Sequence, residues 1–286
     1  KIILIGGDPN SINSEIIYKT WKKLNNSIKK NLYLVANYEL ICEQFKKLNF
    51  KTKVIKVKNI NIDTNANFLK IVNIPLNFKN PFDVSTNNAS KYVINSLDFA
   101  HKLAVNKKIK GFINCPIDKK LLSKKKMGVT EFLANKSNII KDTEVMLIHN
   151  KILSVVPITT HISIKNVSKN ISKDLIKKKL ITLNNYFGRI FKKKPKIGVL
   201  GLNPHNAELF KNSEELLKII PAIKMLKKRN LKVSGPLVTD TAFVNKYKKY
   251  DVIVGMYHDQ VLGPFKAFFQ FDAINITLGL GYIRVS

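Results

Sequence analysis

Short apolar runs, rich in β-branched residues and closed by Gly, Asn or Pro, recur along the chain. They are Ile2 to Ile5, Leu32 to Ala36, Gly111 to Cys115, Ile152 to Thr159, Ile197 to Leu202, Val252 to Met256 and Ala273 to Thr277. Runs of this length without polar alternation fit strands buried on both faces, so most read as members of a largely parallel sheet. Between them, apolar residues recur at helical spacing over Asn88 to Val105, Val167 to Phe191, Glu214 to Lys228 and Asp240 to Tyr247, several opened by Asn, Ser or Asp as candidate caps. Strand alternating with helix predicts an α/β fold. No internal repeat or low-complexity linker interrupts the pattern, and Asn59 to Asn67 carries the least of it. A division into two lobes is expected near residue 120.

Composition narrows this picture in three ways. A chain of 286 residues with 45% hydrophobic content buries a sizeable core. No apolar run reaches the roughly 20 residues that span a bilayer, and Lys1 to Ile5 is too short, and too soon followed by Gly6-Gly7-Asp8, to be a signal peptide. A cytoplasmic address and no membrane partner are therefore expected. Cys42 and Cys115 form no CxxC pair, which leaves neither a disulfide framework nor a cysteine zinc site; both are expected reduced, with Cys115 at the end of a buried strand.

The formal charge of +31 attracts anions of every kind. Lysine supplies nearly all of it and travels with abundant Asn and Ile over the whole length, the mark of a residue-usage bias. Lys124-Lys125-Lys126, Lys177-Lys178-Lys179 and Lys192-Lys193-Lys194 accordingly read as solvated helix ends and faces. Aromatic residues are not interleaved with them as a stacking platform needs, which argues against nucleic acid as the main partner.

Three of the five histidines occupy the same kind of place. His161, His205 and His258 each follow a run that reads as a strand, in Thr159-Thr160-His161, Gly201-Leu202-Asn203-Pro204-His205 and Met256-Tyr257-His258. Open α/β sheets bind ligands in the crevice outside the carboxyl ends of their strands, so the three side chains are candidates to converge there on a divalent metal with an open position. Taken singly, each is an ordinary loop histidine; the shared position is what favours the metal. His101 lies inside a helical stretch and reads as structural, and His149 ends a run that turns back at Asn150-Lys151 as a hairpin, outside the site. Asp240 and Asp259, beside strand ends, are candidates to orient an imidazole or transfer a proton, with a helix N-cap as the alternative for Asp240.

Segments in a fixed order carry a further signal. They are Gly7-Asp8-Pro9, Cys115-Pro116-Ile117-Asp118-Lys119, Thr130-Glu131-Phe132-Leu133-Ala134, the three histidine segments above, Gly235-Pro236-Leu237 with Asp240-Thr241, and Asn275 to Leu280 running on to Ile283-Arg284. With these the chain resembles the 4-hydroxythreonine-4-phosphate dehydrogenase family over essentially its whole length. The resemblance implies a two-lobed α/β/α subunit similar to the isocitrate and isopropylmalate dehydrogenase fold. Residues 1–120 would form the first lobe, completed by the C-terminal segment, and 121–286 the second, with most metal and substrate residues. It implies a homodimer with active sites at the subunit interface, His161, His205 and His258 as metal ligands, and Thr130, Lys266, Asn275 and Arg284 holding a small phosphorylated substrate. The implied reaction is NAD- or NADP-dependent oxidation and decarboxylation of 4-phosphohydroxy-L-threonine to 3-amino-2-oxopropyl phosphate on the route to pyridoxal phosphate, with zinc, magnesium or cobalt as the divalent metal. No G-x-G-x-x-G follows a strand, which counts against a conventional Rossmann nucleotide site and agrees with a family that binds NAD differently.

Two departures matter. Val129 stands where the family has a histidine, and Ser11 and Asn13 stand where it has glycines. Val129 keeps open a sister activity on a phosphothreonate or phosphoerythronate, and the charge keeps open a non-catalytic basic binding protein on the same fold.

Overall fold

The computed structural model describes residues 1–62, 65–122, 128–136, 143–244 and 246–286, the side chains of 131, 134 and 135 excepted. In chain order its strands are β1 (Ile2–Ile5), β2 (Leu32–Ala36), β3 (Lys53–Val57), β4 (Phe68–Asn73), β5 (Gly111–Asn114) and β6 (Val145–His149). There follow β7 (Ser154–Pro157), β8 (Ile197–Leu200), β9 (Val233–Leu237), β10 (Val252–Gly255), β11 (Ile274–Leu278) and β12 (Ile283–Val285). The chain divides into two compact units, Lys1–Ser137 with Gly281–Ser286, and Asn138–Leu280. The expected boundary near 120 moves to 137/138, because the helix Val129–Lys136 stays with the first unit, where Thr130 bonds to Arg284 of the returning chain end.

In the first unit the strands lie in the order β3-β4-β2-β1-β5-β12, every neighbouring pair parallel. The run Leu32-Tyr33-Leu34-Val35-Ala36 is buried throughout, as a central parallel strand covered on both faces requires. The helix Thr86–Val105 covers one face with Ala89, Tyr92, Val93, Leu97, Ala100 and Ala104, buried at three- and four-residue spacing. Two helices that the periodicity missed, Asn13–Lys23 and Tyr38–Lys47, also pack here; Asn37 caps the second by accepting from Leu40 N at 2.8 Å. Cys115 follows β5, and burial pushes its thiol up to about 12, so it stays protonated and inert.

In the second unit the order is β11-β6-β7-β10-β8-β9. β7, β10, β8 and β9 are parallel, while β6 runs antiparallel to both β7 and β11. The hairpin expected after His149 is present: Asn150 Oδ1 accepts from Ile152 N and Leu153 N at 2.8 Å, which delays β7 to Ser154. The expected helix over Val167 to Phe191 breaks at Ile171, because Ser172 takes up an extended cap and accepts from Leu175 N at 3.1 Å to start Lys173–Phe191. The helix expected over Glu214 to Lys228 opens as a π-turn, Glu215–Ile219, before Ile220–Lys228. That expected over Asp240 to Tyr247 is only the turn Thr239–Ala242, with residue 245 outside the described residues and a 3-10 turn at Lys246–Lys249. His258–Phe269, another helix not expected, follows β10. Part of the pattern-poor segment Asn59 to Asn67, at 63 and 64, and the lysine run 124–126 lie outside the described residues. Among the described residues no helix is long and apolar enough to cross a membrane.

Candidate active site

β7, β10 and β8 are neighbours, and each of the three histidines sits on the loop at the carboxyl end of one of them. Backbone bonds lock the first two loops together: Ile158 N donates to Gly255 O at 2.8 Å, and Thr159 donates to Met256 O from its N at 3.1 Å and from its Oγ1 at 2.7 Å. Gln260, buried at the start of the helix His258–Phe269, ties in the third. Its Oε1 accepts from Met256 N at 2.6 Å, and its Nε2 donates to Gly201 O at 2.6 Å and to Thr239 Oγ1 at 3.1 Å. One amide thus spans the loops that carry His258, His205 and Asp240.

The rings of His161 and His258 lie 6.1 Å apart. Two imidazoles on one tetrahedral ion, with metal–nitrogen bonds of roughly 2.0–2.1 Å, have centres about 5 Å apart, so this pair is within a small rotation of sharing an ion. His258 Nδ1 faces Asp259 Oδ1 at 2.6 Å. The carboxylate only accepts, so Nδ1 carries the proton and Nε2 is left for a ligand, as metal-binding histidines commonly donate their other ring N–H to a carboxylate. His205 lines a cavity of about 300 Å³ together with Asp240, Tyr257, Asn203, Thr239 and Gln260. Asp240 sits in the first turn of Thr239–Ala242 and is not its N-cap, which is Val238; it is exposed.

Among the described residues of a single chain, no group of three or more His, Cys, Asp or Glu side chains is placed to hold a metal ion. The structure brings the His161 and His258 rings near one another, and it places His205 and Asp240 on the wall of one cavity. The donor set itself, imidazoles at the ends of three adjacent strands with a carboxylate behind one of them, is chemically suited to a divalent cation.

His205 opens an unusual stretch. His205, Asn206, Ala207, Glu208 and Leu209 all have positive φ, 50°, 58°, 49°, 45° and 59°, a left-handed turn without a glycine. Each such residue costs roughly 1–2 kcal/mol, so the turn persists only because its surroundings over-determine it. Gly201 makes room for it: a Cβ there would fall 2.1 Å from Asn206 Oδ1.

Asn275 lies on β11 with Oδ1 buried and without a hydrogen-bond partner among the described residues, and Lys266 is exposed on the helix His258–Phe269. In the first unit, Arg284 on β12 is buried, donating from Nε to Asn114 Oδ1 at 2.7 Å and from Nη1 to Thr130 Oγ1 at 3.3 Å. The Gly7-Asp8-Pro9 loop packs on the segment after β5. Asp8 N donates to Pro116 O at 3.1 Å, and Gly7, at φ 73°, leaves no space for a side chain, since a Cβ would lie 2.5 Å from Pro116 O. Asn13 begins a helix and donates from Nδ2 to Pro116 O and Asp8 O.

The two histidines set aside from the site are structural. His101 Nδ1 meets Tyr282 Oη at 2.8 Å, His149 Nδ1 meets Ser154 Oγ at 2.8 Å, and burial lowers the pKa of both. Sequence reasoning missed Gln260, Asn114 and Glu215 as supports of the site; the one available signal was an uncapped acidic pair, Glu214-Glu215, opening an apolar helical pattern.

Fold and site together define an α/β protein of the enzyme type, with a histidine-bearing crevice at the carboxyl ends of parallel strands. The family profile described as Pyridoxal phosphate biosynthetic protein PdxA matches residues 27–286, and the chain belongs to that family. A 4-hydroxythreonine-4-phosphate dehydrogenase of Sulfurihydrogenibium sp. is 37% identical over 293 residues, covering 100% of this chain and 88% of that protein. A protein of Oceanobacillus iheyensis named provisionally as a D-threonate 4-phosphate dehydrogenase is 38% identical over 71% of this chain and 61% of its own length. The crystal structure of 4-hydroxythreonine-4-phosphate dehydrogenase from Klebsiella pneumoniae superposes with a TM-score of 0.85 at 26% identity, covering 100% of this chain and 89% of that one.

Proposed function

We propose that the chain is an NAD- or NADP-dependent dehydrogenase that oxidises and decarboxylates 4-phosphohydroxy-L-threonine to 3-amino-2-oxopropyl phosphate, an oxidoreductase of pyridoxal phosphate synthesis. The observation that carries this reading is full-length similarity to enzymes of that name, joined to the histidine-bearing loops on three adjacent strands. His161, His205 and His258 are the proposed ligands of a divalent cation, zinc first, with magnesium or cobalt as alternatives. When bound, the cation supplies Lewis-acid polarisation of the substrate hydroxyl and the nicotinamide supplies the hydride acceptor.

The chain's own residues do the rest. Asp259 holds the Nδ1 proton of His258 and so fixes its tautomer. Asp240, beside His205 in the same cavity, is placed to take a proton from the hydroxyl as it is oxidised. Lys266 and Arg284 offer ammonium and guanidinium groups to phosphate and carboxylate oxygens, with Thr130 and Asn275 as hydrogen-bond partners. The orphaned Asn275 Oδ1 supports its place in that set, since a buried acceptor without a partner is costly unless a ligand supplies the donor.

A homodimer with the active site at its interface completes the reading. Ile162 and Ile164, beside His161, and Leu209 and Phe210, beside His205, are exposed apolar side chains on the metal-bearing loops, as a surface covered by a second copy requires. A second copy also supplies the means to complete a ligand set that one chain leaves incomplete. A cytoplasmic setting agrees with this chemistry.

Val129 favours one second reading, the same chemistry on a phosphorylated threonate or erythronate, because the imidazole that would contact the amino-acid substrate is absent. The test is reduction of NAD and NADP, followed at the nicotinamide absorbance, with 4-phosphohydroxy-L-threonine, D-threonate 4-phosphate and erythronate 4-phosphate in parallel. Turnover on the first that is lost with chelator and in His205→Ala supports the main reading, turnover only on the others transfers it, and none on any by metal-loaded protein removes it.

A further inference from the structure

We infer that Glu215 is the positioning residue that holds His205 in place. Glu215 is completely buried, 0% exposed, and makes no ion pair among the described residues. Its charge is met by donors from one loop instead. Oε1 accepts from Leu202 N at 2.8 Å and Asn203 N at 2.9 Å, and Oε2 accepts from Asn203 Nδ2 at 3.0 Å. A buried carboxylate is retained only where such charge-assisted bonds compensate its lost hydration, so a formal charge has been placed under the two residues that lead into Pro204 and His205.

Three neighbouring features serve the same arrangement. Glu215 begins the π-turn Glu215–Ile219, a departure from α-helical winding that is frequent at functional sites. Glu214 braces the other side of Asn203, accepting from its Nδ2 at 2.9 Å, and is itself held by the Ser168 hydroxyl. The Ser168 carbonyl in turn accepts from Lys218 Nζ at 2.7 Å. The loop so anchored passes directly into the left-handed turn that starts at His205. A turn of that kind does not hold itself, and the Glu215 clamp fixes its entry. Glu215 therefore acts on chemistry through the direction of the His205 imidazole and touches no reacting atom.

The catalytic consequence rests on the proposed role of His205 in the site, whereas the loop geometry does not, and the two are separable. Glu215→Ala removes all three acceptor contacts; Glu215→Gln keeps one acceptor oxygen for Leu202 N and Asn203 N. In labelled protein, the Leu202 and Asn203 amide signals and the His205 imidazole signals are expected to move in Glu215→Ala and to return part of the way in Glu215→Gln. Turnover of the phosphorylated hydroxy acid is expected to fall about 10- to 100-fold in the alanine variant, with KM changed little and partial recovery in the glutamine variant. Loop and imidazole signals that stay in place overturn the inference, whatever turnover does. If the unmodified protein turns over no substrate, the dehydrogenase reading fails while the spectra still decide the positioning role. Should the alanine variant not fold, amide exchange in the unmodified chain decides: slow exchange at Leu202 and Asn203 is expected of a buried clamp, and rapid exchange rejects it.

Discussion

Arg284 donates from Nε to Asn114 Oδ1 across 2.7 Å, and both side chains are buried. The two strands involved pair in parallel, with Arg284 opposite Phe112, so an amide near the end of β5 aims a guanidinium that enters the sheet only with the last strand of the unit. Asn114→Ala takes away the acceptor and leaves a charged donor buried, a loss of roughly 1–3 kcal/mol. Denaturant unfolding is expected to show that loss, and KM for the phosphorylated substrate is expected to rise more than kcat falls, because Arg284 is assigned to binding. An unchanged KM would separate Arg284 from the substrate.

Asp259 is exposed, and among the described residues its one polar contact is His258. A surface pair of this kind adds little to stability, so Asp259→Asn is expected to leave the thermal midpoint nearly unchanged. The amide can still accept from Nδ1 but carries no charge to raise the basicity of the imidazole, and metal affinity is expected to fall about 10- to 100-fold. Titration with zinc or cobalt in competition with a chromophoric chelator measures it, and equal affinity in variant and parent would remove His258 from the ligand set.

How much of this was visible beforehand depends on what apolar patterning encodes. β2, β7, β8 and β10 were legible because each is a compact apolar run buried throughout, β1 and β5 because they are short apolar runs beside them in the parallel order, and the histidines after three of these strands inherited their position from that pattern. β3 was not legible: Lys53 and Lys56 break its apolar sequence, which an edge strand tolerates on its open side. Gly263 and Pro264 hid the helix His258–Phe269. The supports of the site were hidden for another reason. Glu215 and Gln260 are polar residues at buried positions, and what makes them tolerable is hydrogen bonding to backbone groups as far as 12 and 13 residues away for Glu215 and 59 for Gln260, about which local periodicity carries no information. The left-handed turn at His205 was equally silent, since only His205 and Asn206 among its residues are enriched in that conformation and no glycine marks it.

Gln260 offers the sharpest test of how the crevice is assembled. Gln260→Ala leaves Met256 N and Gly201 O without this partner in a buried setting, and a loss of roughly 2–4 kcal/mol is expected from two such groups. Gln260→Glu restores the acceptor for Met256 N but places a carboxylate oxygen against Gly201 O, so it is expected to be no more stable than the alanine variant at neutral pH and to recover as acid protonates it. Urea unfolding of both variants across pH checks this; a glutamate variant as stable as the parent at neutral pH would show that Nε2 does not hold the Gly201 loop.

His149 sets an acid limit on the second unit. Burial lowers its pKa, so the folded state binds a proton less readily than the unfolded chain, whose imidazole titrates near 6.5. Above that value both states are neutral and His149 contributes no pH dependence. As pH falls through about 6.5 the unfolded state gains the proton first, and stability declines until the pH drops below the lowered folded value. His101 shifts in the same direction in the first unit, for the same first cause, burial. Unfolding free energies from pH 8 down to 5 are therefore expected to fall in the parent, and His149→Asn is expected to flatten part of that slope while losing a constant amount from the Ser154 contact and the tilted ring contact with Phe191 at 4.4 Å. A parallel slope in parent and variant would mean that His149 takes up its proton equally well in both states, and that burial beneath Phe191 is not what holds it neutral.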